Sequence, residues 1–264
     1  MTRLVLIADL HFGREDRGVV SELLKAIEAA RPDMVVIAGD FVQRARRSHF
    51  RPARAFVEAI PAPVFAVPGN HDIPLYNIGA RWLSPHATYR RWIAPETEPR
   101  WHDGDVSLIG VDTTNRFSRE AGRVSEAQIA RVCGDIRGAG ARLPVIVAHH
   151  PFHQSPEVAK KLLRNAETAL ADWADCGAHM ILSGHVHRFH AEPFVARKKE
   201  GMTLQVHCGT SSSTRRRGAA NDFAVLDADA RAVAITRMIH EPGKTFLADV
   251  RYRFTRSATG WTTG

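Results

Sequence analysis

The chain reads as an α/β fold on three observations. Five short apolar runs without alternation, Leu4–Ala8, Met34–Ala38, Val64–Val67, Val145–Ala148 and Met180–Leu182, have the form of strands buried on both faces. Segments with apolar residues at helical spacing separate several of them. Each run is followed by a polar motif: Asp9-Leu10-His11, Gly39-Asp40, Gly69-Asn70-His71-Asp72, His149-His150-Pro151 and Gly184-His185-Val186-His187. In α/β sheets ligands gather at the carboxyl ends of strands, so the five motifs are expected to converge on one site.

In chain order, Val19, Val20, Leu23, Leu24, Ile27 and Ala30 predict a helix between the first two strands, ending before Pro32. Phe50, Ala53, Phe56, Val57 and Ile60 predict another between the second and third, ended by Pro61. Residues 73–100 hold Leu75, Tyr76, Trp82, Tyr89, Trp92 and Ile93 without a clean strand pattern. They read either as a cap over the site or as a satellite cluster packed on the sheet. Ser125-Glu126-Ala127-Gln128 has the form of a capping box and opens a helix through about Ile136. Ser155-Pro156-Glu157 predicts a helix running to about Cys176, where Gly177 stops it. Beyond Gly184, segments 202–207, 223–227, 232–239 and 248–256 read as strands joined by turns.

With 264 residues, 44% of them hydrophobic, the chain can bury a full core, and a single domain over residues 1–264 is expected. The first strand begins almost at Met1, leaving no room for a signal peptide, and no apolar run approaches the ~20 residues of a membrane span. A cytoplasmic location is therefore expected. Cys133, Cys176 and Cys208 are odd in number and widely spaced, which predicts reduced thiols in place of a disulfide framework or zinc site. The net charge of +8 favours anionic partners. Because Arg and Lys are scattered and no nucleic-acid module is recognisable, a small anionic substrate is expected over nucleic acid.

The motif residues suit a metal-dependent hydrolase, which needs oxygen and imidazole ligands. In Asp9-x-His11 the two side chains share one side of an extended segment and can reach one ion. The two oxygens of Asp40 can bridge ions about 3.5–4 Å apart. Asn70 offers a neutral amide oxygen, and His185 and His187 share one side of the chain. Arg44, close behind Asp40, and Arg215, Arg216 and Arg217, close behind the hydroxyls of Thr210–Thr214, are candidate contacts to substrate oxygens. Both stretches also read as solvated turns.

The ordered set Asp-x-His, Gly-Asp, Gly-Asn-His-Asp, His and Gly-His-x-His resembles the calcineurin-like metallophosphoesterase superfamily over roughly residues 4 to 190, with all five blocks complete. The resemblance implies a four-layer αββα sandwich, two mixed sheets flanked by helices, with a dinuclear metal centre at the strand C-terminal ends and the later strands in the second sheet. Carried over residue by residue, it implies Asp9, His11, Asp40 and His187 around one ion and Asp40, Asn70, His149 and His185 around the other. His149 is preferred to His150 because the family's lone histidine commonly precedes one residue and then Pro, as in His149-x-Pro151; His150 then lines the rim near substrate. The family's His71 equivalent is not a ligand, and its place suits a general acid whose other ring nitrogen Asp72 orients. Manganese, iron, zinc, cobalt and nickel all suit such a donor set. The implied reaction is hydrolysis of a phosphodiester, such as a cyclic nucleotide or other small diester, by metal-activated hydroxide in the manner of bacterial cyclic-nucleotide and glycerophosphodiester phosphodiesterases. Phosphomonoester hydrolysis is the alternative, and a nuclease or a nucleic-acid-binding protein with a vestigial site is less expected.

Overall fold

In β1 (Thr2–Ile7) every residue from Leu4 onward is buried, as the unalternating run requires. The computed structural model describes residues 1–154, 161–196, 199–216, 218–243, 245–258 and 260–264. After β1, the Asp16 carboxylate accepts from the amides of Gly18 and Val19 at 3.1 and 3.3 Å and caps α1 (Arg17–Ala30). Val19, Leu23 and Ile27 turn inward, and Arg31 in a left-handed conformation (φ 48°) ends the helix ahead of Pro32. β2 (Met34–Ala38), α2 (Arg47–Glu58) and β3 (Val64–Val67) repeat the unit, with Phe50, Ala53 and Phe56 buried.

The chain then forms α3 (Ile78–Leu83), α4 (Ala87–Trp92), β4 (Arg100–His102), β5 (Val106–Val111), α5 (Glu126–Gly138), β6 (Leu143–Ala148), α6 (Ala166–Cys176) and β7 (His179–Ser183). The capping box of α5 is present: the Gln128 amide donates to Ser125 Oγ at 3.3 Å, and the Ser125 amide donates to Gln128 Oε1 at 2.8 Å. The chain ends in β8 (His190–Ala196), β9 (Lys199–His207), β10 (Asp222–Ala228), β11 (Ala232–His240), β12 (Phe246–Ser257) and β13 (Gly260–Thr263).

Two mixed sheets result. The first has the order β13-β12-β11-β10-β1-β2-β3, with β1, β2 and β3 parallel. The second has the order β4-β5-β6-β7-β9-β8, with parallel pairing from β5 through β9. Alternation along β6 divides the layers. Val145 and Val147 join Leu4, Leu6 and Leu226 in the main core, whereas Ile146 and Ala148 pack with Val132, Ile136, Leu170 and Trp173 of α5 and α6.

Three expectations are corrected. Segments 223–227, 232–239 and 248–256 were expected in the second sheet, but β10, β11 and β12 extend the first, with Leu226 opposite Leu4. Buried β1 has two edges to satisfy, and β10 supplies the one that β2 does not. The helix expected from Ser155 begins only at Ala166; residues 155–160 lie outside the described residues. Its start is delayed because the Arg164 amide donates to the Gly122 carbonyl at 3.0 Å and the Arg164 carbonyl accepts from Val124 at 3.2 Å, committing this backbone to a bridge. Cys133 and Cys176 are joined as a disulfide with a Cα–Cα separation of 5.5 Å, because α5 and α6 pack side by side; buried Cys208 is the free cysteine among the described residues. Within the segment 73–100 burial is divided. Tyr89 is fully buried and Trp92 and Ile93 pack on the core, whereas Tyr76, Ile78, Trp82 and Leu83 are exposed. Among the described residues no helix is long and apolar enough to cross a membrane.

Candidate metal centre

The motif loops after β1 and β2 are zipped together: the Asp9 amide donates to the Gly39 carbonyl at 3.1 Å and the His11 amide to the Asp40 carbonyl at 3.0 Å. Asp9, His11, Asp40, His185 and His187 all take left-handed backbone, with φ of 53°, 50°, 55°, 71° and 59°. Apart from them, the described non-glycine residues with positive φ are Arg31 and Asn165. Such a conformation costs roughly 1 kcal/mol or more per residue, and its concentration here marks a site the surrounding fold holds against strain. Two glycines permit the close approach. A Cβ on Gly39 (φ 79°) would lie 2.8 Å from that of His149, and one on Gly184 would lie 2.6 Å from Asp9 Oδ2.

The Gly209–Ser213 loop supports this backbone from behind. The Ser211 amide donates to the Ala8 carbonyl at 3.0 Å, Thr210 Oγ1 to the Asp9 carbonyl at 2.7 Å, and Ser212 Oγ to the Leu10 carbonyl at 3.2 Å. The loop is anchored in turn by buried Asp222, which accepts from the Gly209 amide at 2.7 Å and pairs with Arg237 at 2.7 Å. The side chains of Thr210, Ser211 and Ser212 are buried and hold the first motif in place.

Asp9, His11, Asp40, His149, His185 and His187 are buried around one point. His187 Nε2 lies 3.1 Å from Asp9 Oδ1 and 3.3 Å from His11 Nε2, which is itself 3.5 Å from Asp9 Oδ1 and 3.7 Å from Asp40 Oδ2. On the other side, His149 Nε2 lies 3.4 Å from Asp40 Oδ2, 3.2 Å from Asn70 Oδ1 and 3.2 Å from His185 Nδ1. Asp40 stands between the two groups.

The outer nitrogens decide what faces inward. His149 Nδ1 donates to the Ala38 carbonyl and His187 Nδ1 to the Arg215 carbonyl, each at 2.9 Å. In the neutral rings both Nε2 atoms then present lone pairs to carboxylate oxygens, and Asp9 Oδ1 has no hydrogen-bond donor. Acceptor against acceptor in a dry interior is unfavourable unless a proton or cation lies between. Burial alone would raise both aspartates, but His187 and His11 hold Asp9, and His149 and His71 hold Asp40, well below the usual carboxylate range. Burial would likewise lower His149, yet the Asp40 carboxylate outweighs it and pushes the ring up to about 9; burial takes His11 down to about 4. Buried carboxylate and imidazole donors of this kind fit divalent cations. Asp9, His11 and His187, and likewise Asp9, Asp40 and His149, bring one donor atom each within 4.8 Å of one another. Asn70 is turned toward the centre because its Nδ2 donates to the Arg119 carbonyl at 3.1 Å.

At the mouth, His71 is half-buried, and its Nδ1 donates to the Gln43 carbonyl at 2.8 Å. Asp72, expected to orient that nitrogen, does not. Its oxygens accept from the Val42 and Gly69 amides at 3.1 and 2.8 Å, bracing the second and third motif loops, and burial with Asp40 nearby pushes it up to about 8. His150, expected on the rim, is buried, with Nδ1 2.8 Å from Thr113 Oγ1 and Nε2 3.0 Å from the Glu120 carbonyl. Arg44 Nη1 is 3.3 Å from His71 Nδ1 and Arg215 Nη1 is 3.4 Å from His71 Nε2, so both guanidinium groups reach the mouth. Arg216 does not: it pairs with Asp16 at 3.3 Å on the N-cap of α1. Arg217 lies outside the described residues. A small cavity beside His71 is lined by Gln43, Arg44, Asn70, Ile73, Leu75 and Arg119. The Gln43 and Arg119 carbonyls, which orient His71 and Asn70, carry no sequence signal, because any residue supplies a carbonyl.

The description Calcineurin-like phosphoesterase matches residues 2–189. The chain is 41% identical over 150 residues to the glycerophosphodiester phosphodiesterase GpdQ of Enterobacter lignolyticus, a stretch covering 54% of this chain and 49% of that protein. It is 32% identical over 77 residues to the UDP-2,3-diacylglucosamine pyrophosphatase LpxG of Chlamydia muridarum, covering 28% of this chain and 23% of that protein. It thus spans about half or less of the length of these curated relatives. Among solved structures, PhoD superposes with a TM-score of 0.72 at 10% identity, covering 99% of this chain and 71% of PhoD. The purple acid phosphatase PPD1 of yellow lupin (Lupinus luteus) seeds gives 0.65 at 12% identity, covering 94% of this chain and 53% of that one. At these identities the likeness shows the fold alone.

Proposed function

The chain belongs to the calcineurin-like phosphoesterase family, and from that premise we propose that it is a dinuclear metal-dependent hydrolase of a small phosphodiester. The observation that carries the reading is the set of buried imidazole and carboxylate acceptors facing one another on both sides of Asp40. Asp9, His11, Asp40 and His187 would hold one cation, and Asp40, Asn70, His149 and His185 the other. When bound, two cations make water a competent nucleophile near neutral pH and offset charge on phosphoryl oxygens.

The side chains at the mouth do the rest. With Nδ1 donating to the Gln43 carbonyl, His71 presents Nε2 toward the space beside Arg215; as the doubly protonated imidazolium it carries a proton there to give to a departing alkoxide, returning to the neutral ring. Arg44 and Arg215 flank the same ring and offer guanidinium forks to substrate oxygens. Preference for a diester is supported by the phosphodiesterase relative. The test assays protein reconstituted with each metal in parallel on bis(p-nitrophenyl) phosphate, p-nitrophenyl phosphate, cyclic AMP, glycerophosphodiesters and single-stranded DNA. A small diester should be turned over fastest; a clear preference for the monoester would make the protein a phosphatase, and a preference for DNA a nuclease.

Two further results are expected. His149→Ala should lose bound metal while His150→Ala keeps it, because the His150 ring is spent on Thr113 and the Glu120 carbonyl. Metal analysis after identical loading decides the point, and metal loss confined to His150→Ala would move the ligand by one residue. Arg215→Ala should raise KM for a charged diester by roughly ten- to a hundredfold, the worth of a hydrogen bond to a charged group. Arg216→Ala, which breaks a surface pair with Asp16, should leave KM unchanged. Equal kinetics for the two variants would remove Arg215 from substrate recognition.

A further inference from the structure

Beside the cleft lies a second built surface. Tyr76, Ile78, Trp82 and Leu83 on and before α3, and Phe117 in the loop after β5, are 68%, 69%, 52%, 86% and 66% exposed. Single exposed apolar residues are ordinary, but five large ones in one neighbourhood are not. Three of them meet: Ile78 and Trp82 are one helical turn apart, and the Trp82 and Phe117 rings meet edge-on with centroids 5.2 Å apart.

The platform is stapled. Arg81, only 6% exposed, donates to the carbonyls of Pro74 (2.7 Å), Arg116 (2.7 Å), Asn115 (3.0 Å) and Ser118, while Arg116 Nη1 donates back to the Trp82 carbonyl at 2.8 Å. A buried guanidinium spent on backbone carbonyls fixes α3 against the 115–118 loop, so the apolar side chains are held outward by tertiary structure.

Charge selects the partner. No Asp or Glu occurs from Ile73 to Pro95 or from Thr113 to Arg119, while Arg90, Arg91, Arg116 and Arg119, all exposed, do. A second copy placed symmetrically on this surface would set arginine against arginine. The complementary partner is therefore anionic. Its contact layer is hydrocarbon, because the most exposed members, Leu83 and Ile78, are aliphatic and offer no ring on which a base could stack.

We infer that the α3 platform docks on an anionic phospholipid surface, with Ile78, Trp82, Leu83 and Phe117 entering the boundary between headgroups and acyl chains and Arg116 and Arg119 meeting lipid phosphates. Arg119 also lines the cavity beside His71, so docking sets the mouth of the centre against headgroups. The further step, that a headgroup phosphodiester is a substrate, rests on the phosphodiesterase reading above.

Flotation of the whole chain with vesicles of phosphatidylcholine alone, or mixed with phosphatidylglycerol, measures docking without turnover. The protein should float with the anionic vesicles, and high salt should release it. The double variant Ile78→Glu/Leu83→Glu should lower the partition coefficient by about tenfold or more, with its melting temperature and its turnover of bis(p-nitrophenyl) phosphate in solution unchanged. Failure of the unaltered protein to float with anionic vesicles overturns the inference, as does equal flotation of the double variant. A stable dimer in sedimentation velocity that the double variant breaks also overturns it, making the surface a self-contact. Flotation in a protein that hydrolyses no phosphoester supports docking and tells against the phosphodiesterase reading alone.

Discussion

Asp40→Asn is expected to empty both halves of the metal centre at once and to lower kcat by at least about a thousandfold. Asp40 is the carboxylate that faces His11 at 3.7 Å on one side and His149 at 3.4 Å on the other. The substitution keeps its shape but removes its charge and replaces one acceptor oxygen with a donor. In the metal-free protein the Asp40 carboxylate pushes His149 up to about 9, so at neutral pH the protonated ring donates to it, and asparagine exchanges that charged pair for a neutral hydrogen bond. Metal per chain after matched loading should fall for both ions. Asp9→Asn should deplete mainly the ion near His11 and His187, since Asp9 Oδ1 faces those two rings. Two ions per chain with normal turnover in Asp40→Asn would remove it as the shared ligand.

The ligand candidates were legible because their signals are local. A buried strand followed by Asp-x-His or Gly-His-x-His places polar side chains at a strand end whatever the rest of the chain does. The same logic marked α1, α2 and the capping box of α5. What the sequence concealed is non-local. Alternation in 223–256 shows which residues face inward, but β10 chooses β1 as its neighbour through sheet edges distant in sequence. Cys133 and Cys176 carry no spacing signal, since their meeting depends on how α5 and α6 pack. Asp72 was assigned to His71 because a carboxylate is visible in a sequence, whereas the acceptor that holds the ring is the Gln43 carbonyl. The left-handed backbone at Asp9, His11, Asp40, His185 and His187 was equally invisible, because none of these residue types demands it.

His71→Ala is expected to keep both metals and to lose turnover in proportion to the basicity of the leaving group. The ring stands at the mouth, 4.8 Å from that of His11 between centroids, and its backbone amide, which alanine retains, donates to Asp40 Oδ1 at 2.8 Å. The loop that presents Asp40 should therefore survive the substitution, and with it the metal content. What disappears is the group whose Nδ1 is pinned to the Gln43 carbonyl and whose Nε2 is directed toward the cleft. A positioned proton donor contributes roughly a hundred- to ten-thousandfold to a step that expels an alkoxide. It contributes little when the leaving group is a nitrophenolate, which is stable without a proton. Across diesters of graded leaving-group pKa, the variant should give a markedly steeper dependence of log kcat/KM on pKa than the wild type. Parallel lines for wild type and His71→Ala would mean that the ring steadies the phosphoryl group in the ground and transition states alike, and the proton would then have to reach the leaving oxygen from solvent.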